Sequence, residues 1–375
     1  MLLQSTSPAY TYKYPVDINI SILAHGDEYE AIVFASGMGP QIFPINLTHH
    51  QIEEINAMLR QAIEEVRENC ENGEVSDEVL FQLANTGQFA FNTIFENGIS
   101  ILYKALELTR TEQQTTIEIA SKNFFLPWEL LYDGPLDQVD ASRFWGMQYI
   151  LSRTIMQKQR PGAMVSPLIQ SLCPRVGLIT CNDDVLEYVA GKEIPMLQEL
   201  CRRGLILLSP LRPLDANQRH KELEYFVHFF AEEELQIAHL ACHAFEQKPN
   251  SQSYLNIANN FRITIEDVRA RRLVAKHHPL VILNACLTGI IDSLCISGWA
   301  AEFWKGGARG VVATEFQVPD WFAAAFVEKM YECLLSGRPL GESLWITRSH
   351  FWEKQRNPLG LAYALYAPLA IRIAK

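Results

Sequence analysis

The feature that most constrains the fold is a series of short apolar stretches after residue 175. They occupy residues 176–180, 205–208, 235–240, 280–283 and 310–314. Segments with apolar residues at helical spacing separate them, such as the one that contains Leu223, Phe226, Val227 and Phe230. Continuous apolar strands that alternate with amphipathic helices predict an α/β fold, in which a mostly parallel sheet is covered by helices on both faces.

The first part of the chain has a different pattern. Residues 16–23 alternate between apolar and polar side chains, as a half-buried strand does, and residues 116–120 do the same. Thr48 and Gln51 form a capping-box pattern that predicts the start of an amphipathic helix. A second helix is predicted over residues 77–108. These elements predict an α+β arrangement for the N-terminal part.

Proline and glycine interrupt both patterns between residues 158 and 175. The interrupting residues are Pro161, Gly162, Pro167 and Pro174. Such clusters mark linkers. We therefore predict two domains, residues 1–165 with a docking or regulatory role and residues 166–375 with the parallel sheet.

The charge balance and the cysteines argue against several classes of function. With 32 Lys and Arg against 43 Asp and Glu, the net charge is −11, which disfavours direct binding to nucleic acid or to an anionic membrane. The sequence has no apolar run of membrane-spanning length and starts without a signal-peptide pattern, so we expect a cytoplasmic protein. The eight cysteines form no CxxC pair, and we expect neither a metal nor a cofactor.

Two residues with catalytic chemistry follow two of the predicted buried strands. His243 follows the stretch at 235–240, and Cys286 follows the stretch at 280–283. Active sites in parallel sheets form at the carboxyl ends of the strands, where a histidine can activate a thiol. A solvated loop histidine and a core cysteine are the alternative interpretations. His239 and Cys242 are predicted to be core residues.

The segments around these two residues resemble a known family. Residues 235–243 (LQIAHLACH) and 280–286 (LVILNAC) resemble the His and Cys blocks of caspase-like clan CD cysteine peptidases, above all those of the CHAT family, which is related to caspases and separase. Further similar segments, over about residues 125–372, are 127–131 (PWELL), 306–313 (GGARGVVA), 316–320 (FQVPD) and the predicted helix pair 331–344.

The resemblance implies a caspase-like fold and a cysteine endopeptidase. His243 matches the catalytic histidine of the family and Cys286 its nucleophile, and backbone N–H groups of Ala244 and Cys286 would hold the oxyanion. Ala244 stands where the family usually has glycine, and a positive φ would be costly for it. Phe316 replaces the usual Trp of the following loop.

Substrate preference is predicted from the residues after the fifth apolar stretch. Related peptidases use an acidic residue to accept a basic P1 side chain, and Glu315 and Asp320 could do this here. Gln317 lies between them, where separase-like loops carry Asp. Alternatively, Glu315 and Asp320 are exposed loop carboxylates without a role in substrate binding, or Asp320 is a helix N-cap. We favour Arg or Lys at P1.

The resemblance also implies partners. We expect a protein substrate and a separate activating or sensor protein, because CHAT proteins resemble parts of bacterial defence systems that cleave a gasdermin or another effector, including CRISPR-linked ones. Residues 287–298 are too few for a generous processing loop, so we predict a single-chain enzyme.

Two other functions compete with this one. The first is a catalytically silent CHAT scaffold, although a scaffold would need neither His243 nor Cys286. The second is a metal-dependent hydrolase or a nucleotide-binding protein. A nucleotide-binding protein would need a glycine-rich loop after the first apolar stretch, where residues 181–184 read CNDD.

Overall fold

The structure, a computed structural model, describes residues 16–70, 73–109, 114–122, 124–156, 165–180, 188–211, 214, 216–247, 252–258, 261–284 and 298–374. For residues 216, 243–247, 252–253 and 257–258 it describes the backbone alone. Cys286, the predicted nucleophile, lies outside the described residues, as do Cys181 and Cys295. No helix within these ranges is both long and apolar enough to cross a membrane.

The N-terminal part contains a five-stranded sheet. Its strands are β1 (Ile18–His25), β2 (Glu28–Ala35), β3 (Met38–Ile45), β4 (Thr116–Ser121) and β5 (Ile150–Ile155), in the order β3-β2-β1-β4-β5. The first three strands are antiparallel, and β4 and β5 run parallel to β1. Ile18, Ile20 and Ile22 are buried, which confirms the alternation seen in residues 16–23. The sequence patterns did not predict β3 or β5.

The helices beside this sheet differ from the sequence prediction in one place. They are α1 (His49–Asn69), α2 (Asp77–Ile94), α3 (Ile99–Leu108) and the short α4 (Trp145–Gln148). The capping box of Thr48 and Gln51 is present at the start of α1. The single helix predicted over 77–108 is wrong, because the chain turns between α2 and α3. Gly98 occupies this turn, where a Cβ atom would lie 2.4 Å from the ring of Phe43.

The C-terminal part contains a six-stranded sheet. The remaining strands of the chain are β6 (Leu168–Ile169), β7 (Arg175–Thr180), β8 (Leu207–Leu208), β9 (Leu235–Ala241), β10 (His243–Gln247), β11 (Gln252–Ala258), β12 (Phe261–Thr264), β13 (Leu280–Asn284), β14 (Gly310–Thr314), β15 (Tyr363–Tyr366) and β16 (Arg372–Ile373). The sheet has the order β15-β14-β13-β9-β7-β8, and only β15 is antiparallel to its neighbour. This confirms the mostly parallel sheet.

The second apolar stretch was misjudged. Residues 205–208 were predicted to form a buried strand, but only β8 is extended, and it lies at the sheet edge with Leu207 46 % exposed. Short apolar runs do not distinguish a central strand from an edge strand.

The described residues also form two smaller sheets. The sheet β10-β11-β12 is antiparallel, and β6 pairs with β16.

Helices cover both faces of the six-stranded sheet. They are α5 (Ile194–Arg202), α6 (Arg219–Phe229), α7 (Ile265–Arg271), α8 (Trp299–Lys305), α9 (Asp320–Leu335) and α10 (Leu340–Gln355). On one face, residues of α5, α9 and α10 share a buried apolar cluster with Ile237, Ile282 and Val312. On the other, residues of α6, α7 and α8 share a second cluster with Val281 and Val311. The fold is the α/β arrangement that the sequence predicts.

The first of these clusters also joins the two parts of the chain. It contains the inward residues of the five-stranded sheet together with those of α9 and α10. Trp128 and Trp145 are fully buried within it, stacked with ring centroids 6.2 Å apart. The two sheets lie on opposite sides of residue 165 in sequence, yet they share one apolar core. The boundary between domains 1–165 and 166–375 therefore stays a prediction.

Most of the described cysteines behave as packing residues. Cys70, Cys242 and Cys333 are buried, while Cys173 and Cys201 are partly exposed. Burial raises the pKa of the Cys70 thiol to about 11, and it also raises the pKa of Cys333. Thiols in such surroundings resist ionisation and so are poor nucleophiles.

Candidate active site

The strands that precede the two predicted catalytic residues are neighbours. β9 and β13 run parallel, with Leu240 opposite Leu283 and Ala241 opposite Asn284. His243 is two positions after Ala241, and Cys286 is two positions after Asn284. Both residues thus follow the same paired position at the carboxyl end of the sheet. This is the edge where active sites of parallel sheets form.

His243 and Ala244 open strand β10. In the antiparallel ladder His243 is opposite Asn256 and Ala244 is opposite Leu255. The sequence places His243 at the end of the third apolar stretch, and the structure shows that the chain enters a second sheet there. Ala244 lies in an extended strand, a conformation that alanine adopts without the strain of a positive φ.

His239 is a core residue, as the sequence predicts. Its side chain is fully buried, with Nε2 2.9 Å from Glu193 Oε1 and Nδ1 3.2 Å from the Tyr331 hydroxyl. Its ring also stacks on that of Tyr331, with centroids 5.8 Å apart. Burial, reinforced by the negative charge of Glu193, raises the pKa of Tyr331 well above its ordinary value. His239 therefore belongs to a buried structural network.

Asn284 links this network to the end of β13. Its Nδ2 donates a hydrogen bond to Glu193 Oε1, and its Oδ1 accepts one from the Tyr363 hydroxyl at 2.7 Å. Both ends of the Asn284 amide are thus held, by a π-helical turn (Val189–Glu193) on one side and by β15 on the other. Asn284 immediately precedes the segment with Cys286, so this clamp fixes where the chain leaves the sheet.

Sequence reasoning missed both Asn284 and Glu193. Asn284 does carry a signal, since a single amide ends an otherwise apolar run of residues 280–283. Glu193 carries none, because a glutamate in a helical segment is ordinarily assigned to the solvated face. It reaches Asn284 across 91 positions of sequence.

Glu315 is placed differently from the prediction. It is 7 % exposed, and both its carboxylate oxygens are bonded, by Arg153 and by the Tyr366 hydroxyl at 2.6 Å. Arg153 also forms an ion pair with Glu129, and Glu129 forms a second ion pair with Arg348. This geometry gives Glu315 a structural role and does not support a free carboxylate for a basic P1 side chain.

The buried cluster of Arg153, Glu129, Glu315 and Arg348 contains two arginines and two glutamates. Burial on its own lowers the pKa of Arg153, but the negative charges of Glu129 and Glu315 outweigh burial and raise that pKa well above its ordinary value. Arg153 therefore stays charged inside the protein. Glu129 belongs to the 127–131 segment, so these ion pairs tie this segment to β5 through Arg153 and to α10 through Arg348.

The other two predicted substrate-binding residues follow Glu315 in the same segment of the chain. The Gln317 side-chain oxygen accepts a hydrogen bond from Arg67 at the end of α1. Asp320 is the first residue of α9, where a negative charge favourably meets the helix dipole, and Pro319 is the N-cap. The alternative of a helix-start role for Asp320 is thus supported, although not as the cap itself.

A comparison with known families decides which family this is. A family model described as the CHAT domain matches residues 114–366, more than half of the chain. The chain belongs to the CHAT family. This family has the caspase-like fold of clan CD cysteine peptidases, as the sequence resemblance implies. The match begins at residue 114 and so includes β4 and β5 of the N-terminal sheet.

Solved structures of separase share the fold of this chain. Two crystal structures of the Saccharomyces cerevisiae separase–securin complex match with TM-scores of 0.53 and 0.50, at 10 % and 11 % identity, over 95 % and 96 % of this chain. The chain spans 30 % of the length of the separase chains it matches. The Drosophila initiator caspase Dronc matches over 65 % of this chain and 94 % of its own, with 10 % identity and a TM-score of 0.35. No protein of curated function matches the sequence.

The described part of this CHAT protein contains no group of three or more His, Cys, Asp or Glu side chains arranged to hold a metal ion.

Proposed function

We propose that this CHAT protein is a cysteine endopeptidase that uses His243 and Cys286 to cleave a protein partner. One observation carries the proposal, namely the register that sets Ala241 opposite Asn284, two positions before each of these residues. Adjacent parallel strands lie about 4.8 Å apart, so the two strand ends that lead to His243 and to Cys286 are neighbours, which supports the pairing.

The chemistry follows from this pairing. His243 takes the thiol proton, and the Cys286 sulfur attacks the carbonyl carbon of the peptide bond. The C–N bond then breaks, and the leaving amine takes the proton from His243. Water hydrolyses the resulting thioester, which releases the carboxylic acid and restores the thiol. Backbone N–H groups near Ala244 and Cys286 stabilise the oxyanion that develops.

The remaining parts of the proposal rest on family resemblance. The target is a specific protein, with a gasdermin or a CRISPR-linked effector of a bacterial defence system as the candidate, and a separate sensor protein controls the enzyme. A cytoplasmic location suits a catalytic thiolate, because the reducing cytosol keeps thiols free. Arg or Lys remains the favoured P1 residue, although the pairing of Glu315 removes one of its supports.

Cleavage of a diverse peptide library, analysed by mass spectrometry, tests the proposal. We expect the wild-type chain to cut a defined set of peptides and both Cys286→Ala and His243→Ala to lose this activity. Cleavage by either variant at the wild-type rate would reject the dyad. If none of the three proteins cleaves, the scaffold function gains support.

A further inference from the structure

The loop between β14 and α9, residues 315–319, starts beside the predicted catalytic edge. In the parallel ladder Leu283 is opposite Ala313, so the carboxyl end of β14 lies next to that of β13. The chain beyond β13 leads to Cys286 and the chain beyond β14 leads into this loop. Residues 315–319 thus follow the strand end that neighbours the one leading to Cys286.

This loop is tied down at nearly every residue. The backbone N–H of Glu315 donates to Ala362 O at 2.8 Å. Phe316 and Val318 are buried in the cluster that joins the two sheets. Backbone and apolar contacts thus hold the loop, and the residues that bind its polar side chains add to them.

Both of those polar side chains are bound by arginines from the N-terminal part. Arg153 on β5 holds Glu315 inside the buried charge cluster. Arg67, near the end of α1, donates to Gln317 from a side chain that is 26 % exposed. The two contacts join positions 162 and 250 residues apart, and they enter the loop from two different elements.

We propose that Arg67 and Arg153 are positioning residues for substrate, which set the β14–α9 loop against the peptide bound at Cys286. The N-terminal sheet and α1 are then part of the substrate-binding machinery. This inference rests on the proposed peptidase function and extends it, because it places the control of peptide binding in residues far from the dyad in sequence.

Arg67 offers the cleaner test, because its side chain is partly exposed, whereas that of Arg153 is buried within the charge cluster. Two reagents separate its effect from an effect on the nucleophile. The first is the best reactant from a set of peptide acyloxymethyl ketones with different P1 residues, which must dock before it alkylates Cys286. The second is iodoacetamide, which reaches the thiol without docking. Peptide mapping reports the alkylation of Cys286 in each case.

In Arg67→Ala we expect the second-order rate constant with the peptide ketone to fall about three- to tenfold, the range for one lost hydrogen bond. The iodoacetamide rate should stay at the wild-type value. Gln317→Ala should give the same loss, the double variant should lose no more than either single one, and Gln317→Glu should retain the rate. Asp77→Ala is the matched control, because it removes another surface contact to an arginine, that with Arg356, away from this loop.

Three results would count against the inference. An unchanged peptide-ketone rate in Arg67→Ala would overturn it, as would losses that simply multiply in the double variant. Equal losses with both reagents would show that Arg67 acts on the thiol and not on the peptide. A wild-type Cys286 that reacts with iodoacetamide but with no peptide ketone would instead reject the proposed function itself.

Discussion

Asn284 and Tyr363 are joined by a hydrogen bond of 2.7 Å between the Asn284 side-chain oxygen and the Tyr363 hydroxyl. This bond connects the end of β13 to β15, across the intervening β14. The amide nitrogen of Asn284 is bound on its other side by Glu193. The last described residue before the Cys286 segment therefore has both ends of its side-chain amide hydrogen-bonded.

Removal of the Asn284 amide should cost stability. In Asn284→Ala, Glu193 loses a donor and Tyr363 loses an acceptor inside the core, so we expect a loss of about 2–4 kcal/mol in the free energy of unfolding. Urea denaturation followed by tryptophan fluorescence measures this loss. Asn97→Ala, at an exposed amide bonded to Pro44 O, should change stability by less than about 0.5 kcal/mol. Equal stability of the two variants would contradict the network.

The buried charge cluster predicts an asymmetry between single and paired substitutions. Arg153→Met leaves Glu129 and Glu315 without their shared partner, so we expect a loss of about 3–5 kcal/mol. Arg153→Met together with Glu315→Met keeps the pair of Arg348 and Glu129 and should recover much of this loss. Thermal unfolding of the two proteins compares them. A double variant less stable than the single one would argue that Glu315 has another partner to satisfy.

Asp133 predicts a stability that depends on pH. Burial raises its pKa to about 6, against the opposing effects of Arg143 and of the Tyr149 hydroxyl, which lies 3.5 Å from Oδ2. In the unfolded chain the pKa of this carboxyl is about 3.9, so the folded chain binds the proton more tightly. Stability from this group is thus present below about pH 4 and is lost as the pH rises through about 6.

The Asp133→Asn variant has no carboxyl to titrate at this position, so it should not lose this stability as the pH rises. We expect the variant to gain up to about 3 kcal/mol relative to wild type between pH 4 and pH 7, as measured by urea denaturation at both values. Asp137→Asn, at an exposed neighbour, serves as the control. A difference between Asp133→Asn and wild type that does not change with pH would show that this carboxyl titrates normally.

The shared apolar core predicts that residues 166–375 do not fold cooperatively without the N-terminal part. Residues 166–375 alone would expose the face of α9 and α10 that packs against the N-terminal sheet, and they would leave Arg348 and Glu315 without Glu129 and Arg153. We expect this fragment to lack a cooperative thermal transition in calorimetry, whereas the full chain has one. A fragment that unfolds cooperatively would establish residues 166–375 as an independent domain.

The sequence was sufficient for the four buried parallel strands of the central sheet, and the candidate dyad that it proposes stays a prediction. Apolar runs such as 280–283 identify strands because full burial on both faces leaves no room for polar residues. The capping box of Thr48 and Gln51 was equally readable, because its partners are three residues apart. These signals are local, and the strand ends that they define lead directly to His243 and Cys286.

The features that the sequence did not predict depend on contacts between distant residues. Arg153 meets Glu315 across 162 positions, and no local pattern distinguishes that buried carboxylate from an exposed one. The same holds for Glu193 and Asn284. The turn at Gly98 was not predicted either, because the ring of Phe43, which leaves no room for a side chain at position 98, lies on a different element.

The rate of Cys286 alkylation by iodoacetamide, measured as a function of pH in wild type and in His243→Ala, tests the central claim most directly. A dyad predicts that wild-type Cys286 reacts as a thiolate well below the ordinary thiol pKa of about 8.5, and that the His243→Ala curve moves up to that value. Two curves that coincide near pH 8.5 would contradict the claim that His243 activates Cys286.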